Sequence, residues 1–282
     1  MRLATVMQDG GAIAAVLVGD RSVLPLAGAG SGLDSVRGVA ASGQAGLRRV
    51  HDWVRQQPPR RYRSLDDVEL GPAIPDPGAI YTIGLNYGAP ADEVAEPPRP
   101  LVYAKLATSV VGHGAVVAWD RTLTANVDPE VELGVVIGET AVAVRPQDAL
   151  DHVFGYTCIN DISSRDPWLD GDQWLLGKSL AGFCPVGPWV VTPDEGVARG
   201  ARLSCTINGT AIQDDTTSHM RHSIAALIAY LSRHTVLRPG DLIATGTPAR
   251  LAGPLGPERH LQPGDVVTCW IEGIGELTTT IG

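Results

Sequence analysis

The chain has 282 residues, which is enough for one large hydrophobic core or for a main domain with a small second one. With 44% hydrophobic and 19% charged residues, its composition is that of a globular protein rather than a disordered one. The net charge of −9, with clustered arginines only in the stretch 55–63, argues against a nucleic-acid partner.

The first part of the chain, residues 1–70, is predicted to form a small N-terminal α/β module. Apolar segments at 3–7 and 12–18 are suited to β-strands, and Asp9-Gly10-Gly11 between them supplies the turn of a hairpin. In the stretch 47–54 apolar residues recur at i, i+3 and i+7, which predicts a short amphipathic helix.

Two features bear on the cellular location. The apolar segment 12–18 is too short to cross a bilayer and no charged leader precedes it, so neither a membrane anchor nor a signal peptide is expected. The four cysteines are widely spaced, which disfavours a zinc site and a disulfide framework. Both features favour a reduced, cytoplasmic protein with buried thiols.

The remainder of the chain, 71–282, is predicted to be one β-rich domain. Short apolar segments recur between turn residues such as Gly, Pro and Asn, and Val131 to Ile137 is the clearest strand. Two helices are predicted, from Gln147 to Val153 and from about Ser223 to Arg233. Because alternating βαβ units are missing, the fold class is predicted to be α+β and not a doubly wound parallel sheet.

The start of the clearest strand carries two carboxylates. Side chains alternate between the faces of a strand, so Glu130 and Glu132 project the same way. Leu133, Val135 and Ile137 take the opposite face, as a core requires. Two interpretations stay open from this stretch alone: a buried pair that needs a compensating cation, or a face that is open to water.

A third carboxylate, Asp161, follows the short predicted strand from Tyr156 to Ile159. Three carboxylates with no nearby histidine or cysteine form an all-oxygen site, which suits Mg²⁺, Mn²⁺ or Ca²⁺ and disfavours zinc. Three protein ligands on Mg²⁺ leave room for a bidentate substrate. Taken singly, Asp161 is also compatible with a simple turn-forming aspartate.

An ordered series of motifs resembles the fumarylacetoacetate hydrolase family, over roughly residues 75 to 282. The matching segments are Ile83-Gly84-Leu85-Asn86-Tyr87, Asp128 to Leu133, Asn160-Asp161 with Arg165-Asp166, Gln173 to Ser179, Phe183 to Pro188, Asn208-Gly209, Pro239-Gly240-Asp241 with Thr245 to Pro248, Pro263-Gly264-Asp265 and Gly273 to Leu277. Each motif is weak alone, but the series is specific. The leading module also resembles the small first domain that many members carry.

The resemblance implies a catalytic domain of the mixed β-roll or β-sandwich type, a homodimer, and a divalent ion, with Mg²⁺ the first expectation. The residues to which it assigns roles are the metal ligands Glu130, Glu132 and Asp161, the catalytic residues Lys178, Glu93 and Arg165, and the substrate-binding residues Tyr87, Trp168, Gly246 and Thr247. A plain salt bridge to the carboxylates is the alternative role for Lys178.

The chain departs from the family pattern at two positions. Pro90 stands where hydrolytic members have a histidine that works with a glutamate, here Glu93, to activate water. Proline offers neither a base nor a donor. Trp168 stands where many members have a glutamine, which makes the expected pocket more apolar.

Other groups could carry the proton. His113 and His219 are candidates, although a surface-loop position is the favoured interpretation of each. Asp92 or Glu93 could act as a base without a histidine if burial raises its pKa.

The expected function is a divalent-metal-dependent enzyme acting on a β-dicarbonyl or 2-keto acid. The expected chemistry is C–C bond hydrolysis, or lyase and decarboxylase chemistry, through a metal-stabilised enolate. The missing histidine keeps two alternatives open. One is a non-hydrolytic isomerase, tautomerase or cyclase of a biosynthetic pathway, and the other is a degenerate ligand-binding homologue.

Overall fold

The computed structural model describes residues 1–8, 10–88, 99–166, 173–197, 200–252 and 259–282. In these residues β-strands dominate over helices. The α-helices are α1 (Val36–Ala41), α2 (Gly43–Arg55) and α3 (Ile224–His234). The strands are β1 (Arg2–Gln8), β2 (Gly11–Val18), β3 (Ser22–Pro25), β4 (Arg63–Ser64), β5 (Glu69–Leu70), β6 (Ile80–Gly84), β7 (Leu101–Lys105), β8 (Val110–Val111), β9 (Val116–Val117), β10 (Val127–Asp128), β11 (Val131–Ile137), β12 (Val153–Asn160), β13 (Ser163–Ser164), β14 (Cys184–Val191), β15 (Arg202–Ile207), β16 (Thr210–Thr216), β17 (Leu242–Ala244), β18 (Val266–Ile271) and β19 (Gly275–Ile281).

Among the described residues the strands form two main sheets and one small one. The 12-stranded sheet has the order β4-β3-β2-β1-β14-β12-β11-β17-β6-β7, with β5 joined to β1 and β8 joined to β14. The 5-stranded sheet has the order β16-β15-β18-β19-β9, and β10 pairs with β13. Most neighbours are antiparallel, but β17 runs parallel to β6. The predicted β-rich α+β class is therefore confirmed, with mixed sheets.

The core that lies between the two main sheets is built from alternating apolar residues. In β15 every second residue is buried, and Leu203 and Cys205 face Leu133 and Cys158 of the large sheet. All four cysteines of the chain are free and buried, as predicted.

Strand β11 is covered on both faces. Each of its seven residues is buried. It lies between β12 and β17 in the sheet, and its Val135 and Ile137 pack against Leu227 and Leu231 of α3. Leu133, Val135 and Ile137 therefore face the core as predicted. A carboxylate on such a strand loses its water and needs a compensating partner.

Of the two helices predicted in the segment 71–282, the structure contains one and not the other. The helix near Ser223 is confirmed as α3, whose first turn is capped by the Ser223 hydroxyl accepting from the Ala226 N–H. The helix from Gln147 to Val153 is wrong, since only a short 3-10 turn, Ala149–His152, forms there. Val153 already begins β12, whose β-branched and aromatic residues pair with β11.

The N-terminal hairpin is confirmed as β1 and β2, and the predicted helix lies within α2. Strand β1 also pairs with β14, with Leu3 opposite Val190, so the first residues share one sheet with the rest of the chain. The division into 1–70 and 71–282 stays a prediction. No helix in the described residues combines the length and apolarity needed to cross a bilayer.

Candidate metal centre

The pairing of β11 with β12 brings the three predicted carboxylates together. Glu132 is the register partner of Ile159, and the Asp161 N–H donates to the Glu130 carbonyl at 2.8 Å. One oxygen from each of Glu130, Glu132 and Asp161 lies within 4.8 Å of the others. The antiparallel register therefore converts two separate sequence motifs into one cluster.

The Glu132 side chain shows why this cluster fits a cation. Its exposed fraction is 2%, so the interpretation of a face open to water is wrong for this residue. It accepts the Gly246 N–H at 2.8 Å, and no ion pair to it is formed among the described residues. Burial, together with the negative charge of Asp161, raises the pKa of Glu132 well above its usual value. A divalent ion would supply the missing positive charge.

The donor set agrees with that interpretation. All three side chains offer hard carboxylate oxygens, and hard cations such as Mg²⁺, Mn²⁺ and Ca²⁺ prefer oxygen ligands. Glu130, Glu132 and Asp161 are thus the residues that would hold the ion.

Lys178 contacts two of the three carboxylates. Its Nζ donates to Asp161 Oδ2 at 2.5 Å, to Glu130 Oε2 at 3.1 Å and to Ser163 Oγ at 2.8 Å. Burial opposes its charge, but the Asp161 and Glu130 carboxylates outweigh burial and raise the pKa of Lys178. The ammonium group therefore stays charged, as the predicted position beside the metal requires.

Lys105 is a second buried lysine at this centre, and no sequence pattern pointed to it. Its side chain is fully buried at the end of β7, and its Nζ donates to Asp161 Oδ1 at 2.5 Å. Although burial acts in the opposite direction, Lys105 and Lys178 lower the pKa of Asp161. The available signal was a lone lysine ending the apolar segment Leu101–Lys105.

Arg165 links the metal cluster to a second carboxylate. It donates from Nε to Asp128 Oδ2 at 3.1 Å, and its other end contacts Glu130 Oε1. Asp128 also accepts from Arg250 at 3.1 Å and lies 2.8 Å from His260 Nδ1. Arg165 thus fixes the orientation of Glu130, and its catalytic role stays a prediction.

The loop 245–247, which follows β17, is held against the carboxylate cluster by hydrogen bonds. Thr247 Oγ1 donates to the Val131 carbonyl at 2.9 Å and accepts from Gln213 Nε2 at 2.8 Å. Gln213 is buried, accepts the Val131 N–H at 3.0 Å, and was not predicted. Asn86 Nδ2 donates to the Thr245 carbonyl at 2.7 Å. These bonds hold Gly246 in position to donate to Glu132.

Gly246→Ala is expected to destabilise the protein by about 1–3 kcal/mol, because the residue has a φ of +99° and an added Cβ would lie 2.7 Å from Asn86 Cβ. Urea denaturation of the metal-free protein measures this loss. Gly264→Ala is the matched control, since Gly264 also has a positive φ, +87°, but open space around its Cβ position. Equal losses in both variants would show that the close approach to Asn86 is unimportant.

A cavity of about 310 Å³ opens onto the cluster. Its lining includes Glu130, Asp161, Lys178, Arg165, Tyr87 and Thr247, and also Gln213, Arg250, Tyr103 and Trp174, which were not predicted. Glu132 and Gly246 are not part of this lining, and the Gly246 N–H donates to the Glu132 carboxylate. Six predicted site residues therefore meet in one cavity.

The remaining predicted residues have different placements. Glu93, Trp168, Asp92 and Pro90 lie outside the described residues. His219 and His113 are both absent from the cavity lining. The structure places His219 Nδ1 2.6 Å from Asp215 Oδ1, and His113 Nδ1 accepts the Thr278 N–H at 3.3 Å.

Metal affinity is expected to fall as the pH falls through the raised pKa of Glu132, because a proton then competes with the ion for the carboxylate. Binding should release up to about one proton from this group. Calorimetric titration with Mn²⁺ in buffers of different ionisation enthalpy measures the release. The idea fails if affinity is independent of pH between mildly acidic and mildly alkaline conditions.

Sequence comparison identifies the family. The family model described as fumarylacetoacetate (FAA) hydrolase C-terminal matches residues 79–282. An uncharacterised protein of Staphylococcus aureus (strain USA300) is 40% identical over 220 residues, which are 77% of this chain and 73% of that protein.

Three solved structures share the fold over the whole chain. The fumarylacetoacetate hydrolase of Exiguobacterium antarcticum is 31% identical, with a TM-score of 0.86 over 100% of this chain and 99% of that one. The 2-hydroxyhepta-2,4-diene-1,7-dioate isomerase of Mycobacterium marinum is 30% identical, with a TM-score of 0.77 over 100% and 98%. The maleylpyruvate hydrolase of Sphingobium sp. SYK-6, in complex with manganese(II) and pyruvate, is 26% identical, with a TM-score of 0.80 over 100% of both chains.

These similarities confirm the resemblance found in the motifs and the predicted fold. Relatives of this chain include both hydrolases and isomerases, and one of them binds manganese. The chain belongs to the fumarylacetoacetate hydrolase family.

Proposed function

We propose that the protein is a divalent-metal-dependent enzyme that acts on a 2-keto acid or a β-dicarbonyl compound and breaks a C–C bond by hydrolysis or decarboxylation. The observation that carries the proposal is the Glu130, Glu132 and Asp161 cluster, which adjoins a cavity shared with Lys178. The family relative that binds manganese(II) and pyruvate supports the choice of ion class and substrate class. Mg²⁺ and Mn²⁺ are the ions to test first.

The charges around the cavity favour an anionic substrate. Among the described residues, the carboxylate cluster and the ion pairs joined to it contain four carboxylates, Asp128, Glu130, Glu132 and Asp161, and four lysines and arginines, Lys105, Arg165, Lys178 and Arg250. These four carboxylates balance four cations, so a bound divalent ion leaves two positive charges in excess. A substrate with two negative charges, such as a keto acid carrying a second carboxylate or an enolate, restores neutrality.

A bound divalent ion would polarise the substrate's chelating oxygens and stabilise the negative charge that develops on them. The chain's own residues supply the rest. Lys178 presents its ammonium group to the cavity while Asp161 and Glu130 hold it in place. Arg165 and Arg250 line the same cavity and offer guanidinium groups to a substrate carboxylate. Glu132 is oriented by the Gly246 N–H.

A second candidate is an isomerase or tautomerase that uses the same centre. Its support is the isomerase relative, together with Pro90, which cannot activate water in the place of the family histidine. Isomerisation needs a proton carrier but no attacking water. Of the alternatives, the degenerate binding protein is disfavoured, because Lys178 and all three carboxylates are retained and buried or half-buried.

Turnover of acetylpyruvate, maleylpyruvate and oxaloacetate, with Mn²⁺ or Mg²⁺ and with a chelator, tests the proposal. Pyruvate formation faster than with the metal ion alone should require both the protein and the metal, because oxaloacetate also loses CO₂ without an enzyme. Water labelled with heavy oxygen separates the reactions: hydrolysis puts the label into the released carboxylate, while decarboxylation releases CO₂. Consumption of none of the three with either metal contradicts the proposal. A changed absorbance without pyruvate favours the isomerase.

The homodimer implied by the family is also a proposal. Among the described residues β7 ends the order of the large sheet, and its Leu101 and Val102 are each 36% exposed. An exposed apolar sheet edge is a surface that proteins normally cover. Light scattering of the purified chain measures the oligomeric state directly.

A further inference from the structure

An aromatic pair adjoins the charged centre. The rings of Tyr103, on β7, and Trp174 are stacked with centroids 4.1 Å apart and an angle of 13° between their planes. Both residues line the cavity that Glu130 and Asp161 also line. Lys178 Nζ lies 5.9 Å from the centroid of the Trp174 ring, so the aromatic pair is directly adjacent to the lysine of the charged centre.

The backbone beside the pair makes room for it. A Cβ at Gly84 would lie 2.9 Å from Tyr103 Cε2, so a larger residue there would displace the Tyr103 ring, while Trp174 Cζ3, at 3.6 Å, is in ordinary contact distance. The two rings are half-buried rather than buried. A pair that served only the core would be covered, whereas this one keeps ring surface open to the cavity.

A leucine extends the apolar surface. Leu85 lines the same cavity, is 69% exposed, and has a φ of +54°, which is rare for a bulky side chain. A strained backbone conformation that exposes an apolar side chain at a cavity is a feature found at ligand sites. Leu85, Tyr103 and Trp174 therefore form an apolar wall next to the charged centre.

We propose that the Tyr103–Trp174 pair is a specificity site that binds a flat, unsaturated or aromatic acyl group of the substrate. This proposal rests on the proposed function and names the part of the substrate remote from the keto-acid end. A planar π-system stacks on an aromatic ring and buries its apolar area there, while its keto-acid oxygens reach the carboxylate cluster. A methyl group offers far less area to the same wall.

The test compares benzoylpyruvate with acetylpyruvate, which share the keto-acid end and differ in the acyl group. In Trp174→Leu and Tyr103→Leu, the ratio of kcat/KM for benzoylpyruvate to that for acetylpyruvate should fall about tenfold, mainly through KM, because the stacking surface is lost. Trp174→Phe keeps an aromatic face and should retain most of the ratio. Trp270→Leu, on β18 and outside this cavity, is the matched control and should leave the ratio unchanged.

A parallel fall for both substrates, with an unchanged ratio, overturns the proposal and makes the pair structural. A binding experiment separates this failure from failure of the proposed function. Calorimetry of the Mn²⁺-loaded protein should show phenylpyruvate binding about tenfold more tightly than pyruvate, with the difference lost in Trp174→Leu. Equal affinities for the two ligands in the wild type overturn the specificity site, whether or not any acylpyruvate is consumed.

Discussion

Glu132→Gln is expected to remove tight divalent-metal binding while leaving the metal-free protein at least as stable as the wild type. Glutamine has nearly the same shape and can still accept the Gly246 N–H. The substitution removes only a charge, and burial already disfavours that charge, as the raised pKa of Glu132 indicates. The metal loses one of three anionic ligands, so affinity should fall on the order of 100-fold or more, since even outer-shell partners contribute 10–100-fold.

Two measurements check this prediction together. Calorimetric titration with Mn²⁺ gives the affinity, and thermal unfolding with and without Mn²⁺ gives the stabilisation by the ion, which should be large in the wild type and absent in the variant. Glu139→Gln is the matched control, because Glu139 is exposed just beyond β11 and lies outside the cluster. If Glu132→Gln binds Mn²⁺ with the affinity of the wild type, the ion is held by residues other than Glu132, which contradicts the prediction.

Asp161→Asn is expected to lose metal binding as well, but with the opposite effect on stability. Asp161 accepts from both Lys105 and Lys178, whose side chains are 0% and 6% exposed. Removing its charge leaves two buried ammonium groups without their shared partner, which should destabilise the metal-free protein by about 3–5 kcal/mol. The contrast with Glu132→Gln follows from which carboxylate has a cationic partner.

Urea denaturation with a chelator measures the loss, and Asp214→Asn, which removes an exposed partner of Arg202, is the control expected to change little. Because the pKa of Asp161 is lowered in the folded protein, its contribution is present at neutral pH and is lost as the pH falls through that pKa. The difference between wild type and Asp161→Asn should therefore shrink in acid. A neutral-pH loss under about 1 kcal/mol would contradict the assigned ion pairs.

Local periodicity was enough to find part of the centre. The alternation of side chains along β11 put Glu130 and Glu132 on one face and Leu133 in the core, and the structure agrees. Asp161 by itself gives only the signal of an aspartate at a strand end, and the ordered series of motifs makes its assignment as the third carboxylate specific. A strand pattern states which face a residue takes but not which distant strand lies opposite.

The residues of the centre that the sequence did not predict were missed because a local pattern does not show which distant segments pack together. Lys105, Gln213 and Arg250 reach the centre only through the pairing and packing of segments far apart in the chain. The wrong helix at Gln147 to Val153 has a related origin, since pairing of β12 with β11 overrides the local helical pattern. The roles of Glu93 and Trp168, and the consequence of Pro90, stay predictions.

The most direct test of the metal centre is electron paramagnetic resonance of the chain titrated with Mn²⁺, before and after addition of pyruvate. We expect one tightly bound ion per chain, a spectrum that changes when pyruvate binds, and loss of the bound signal in Glu132→Gln. A wild-type protein that leaves all Mn²⁺ free in solution, or whose bound ion is unaffected by Glu132→Gln, would contradict a metal centre at Glu130, Glu132 and Asp161.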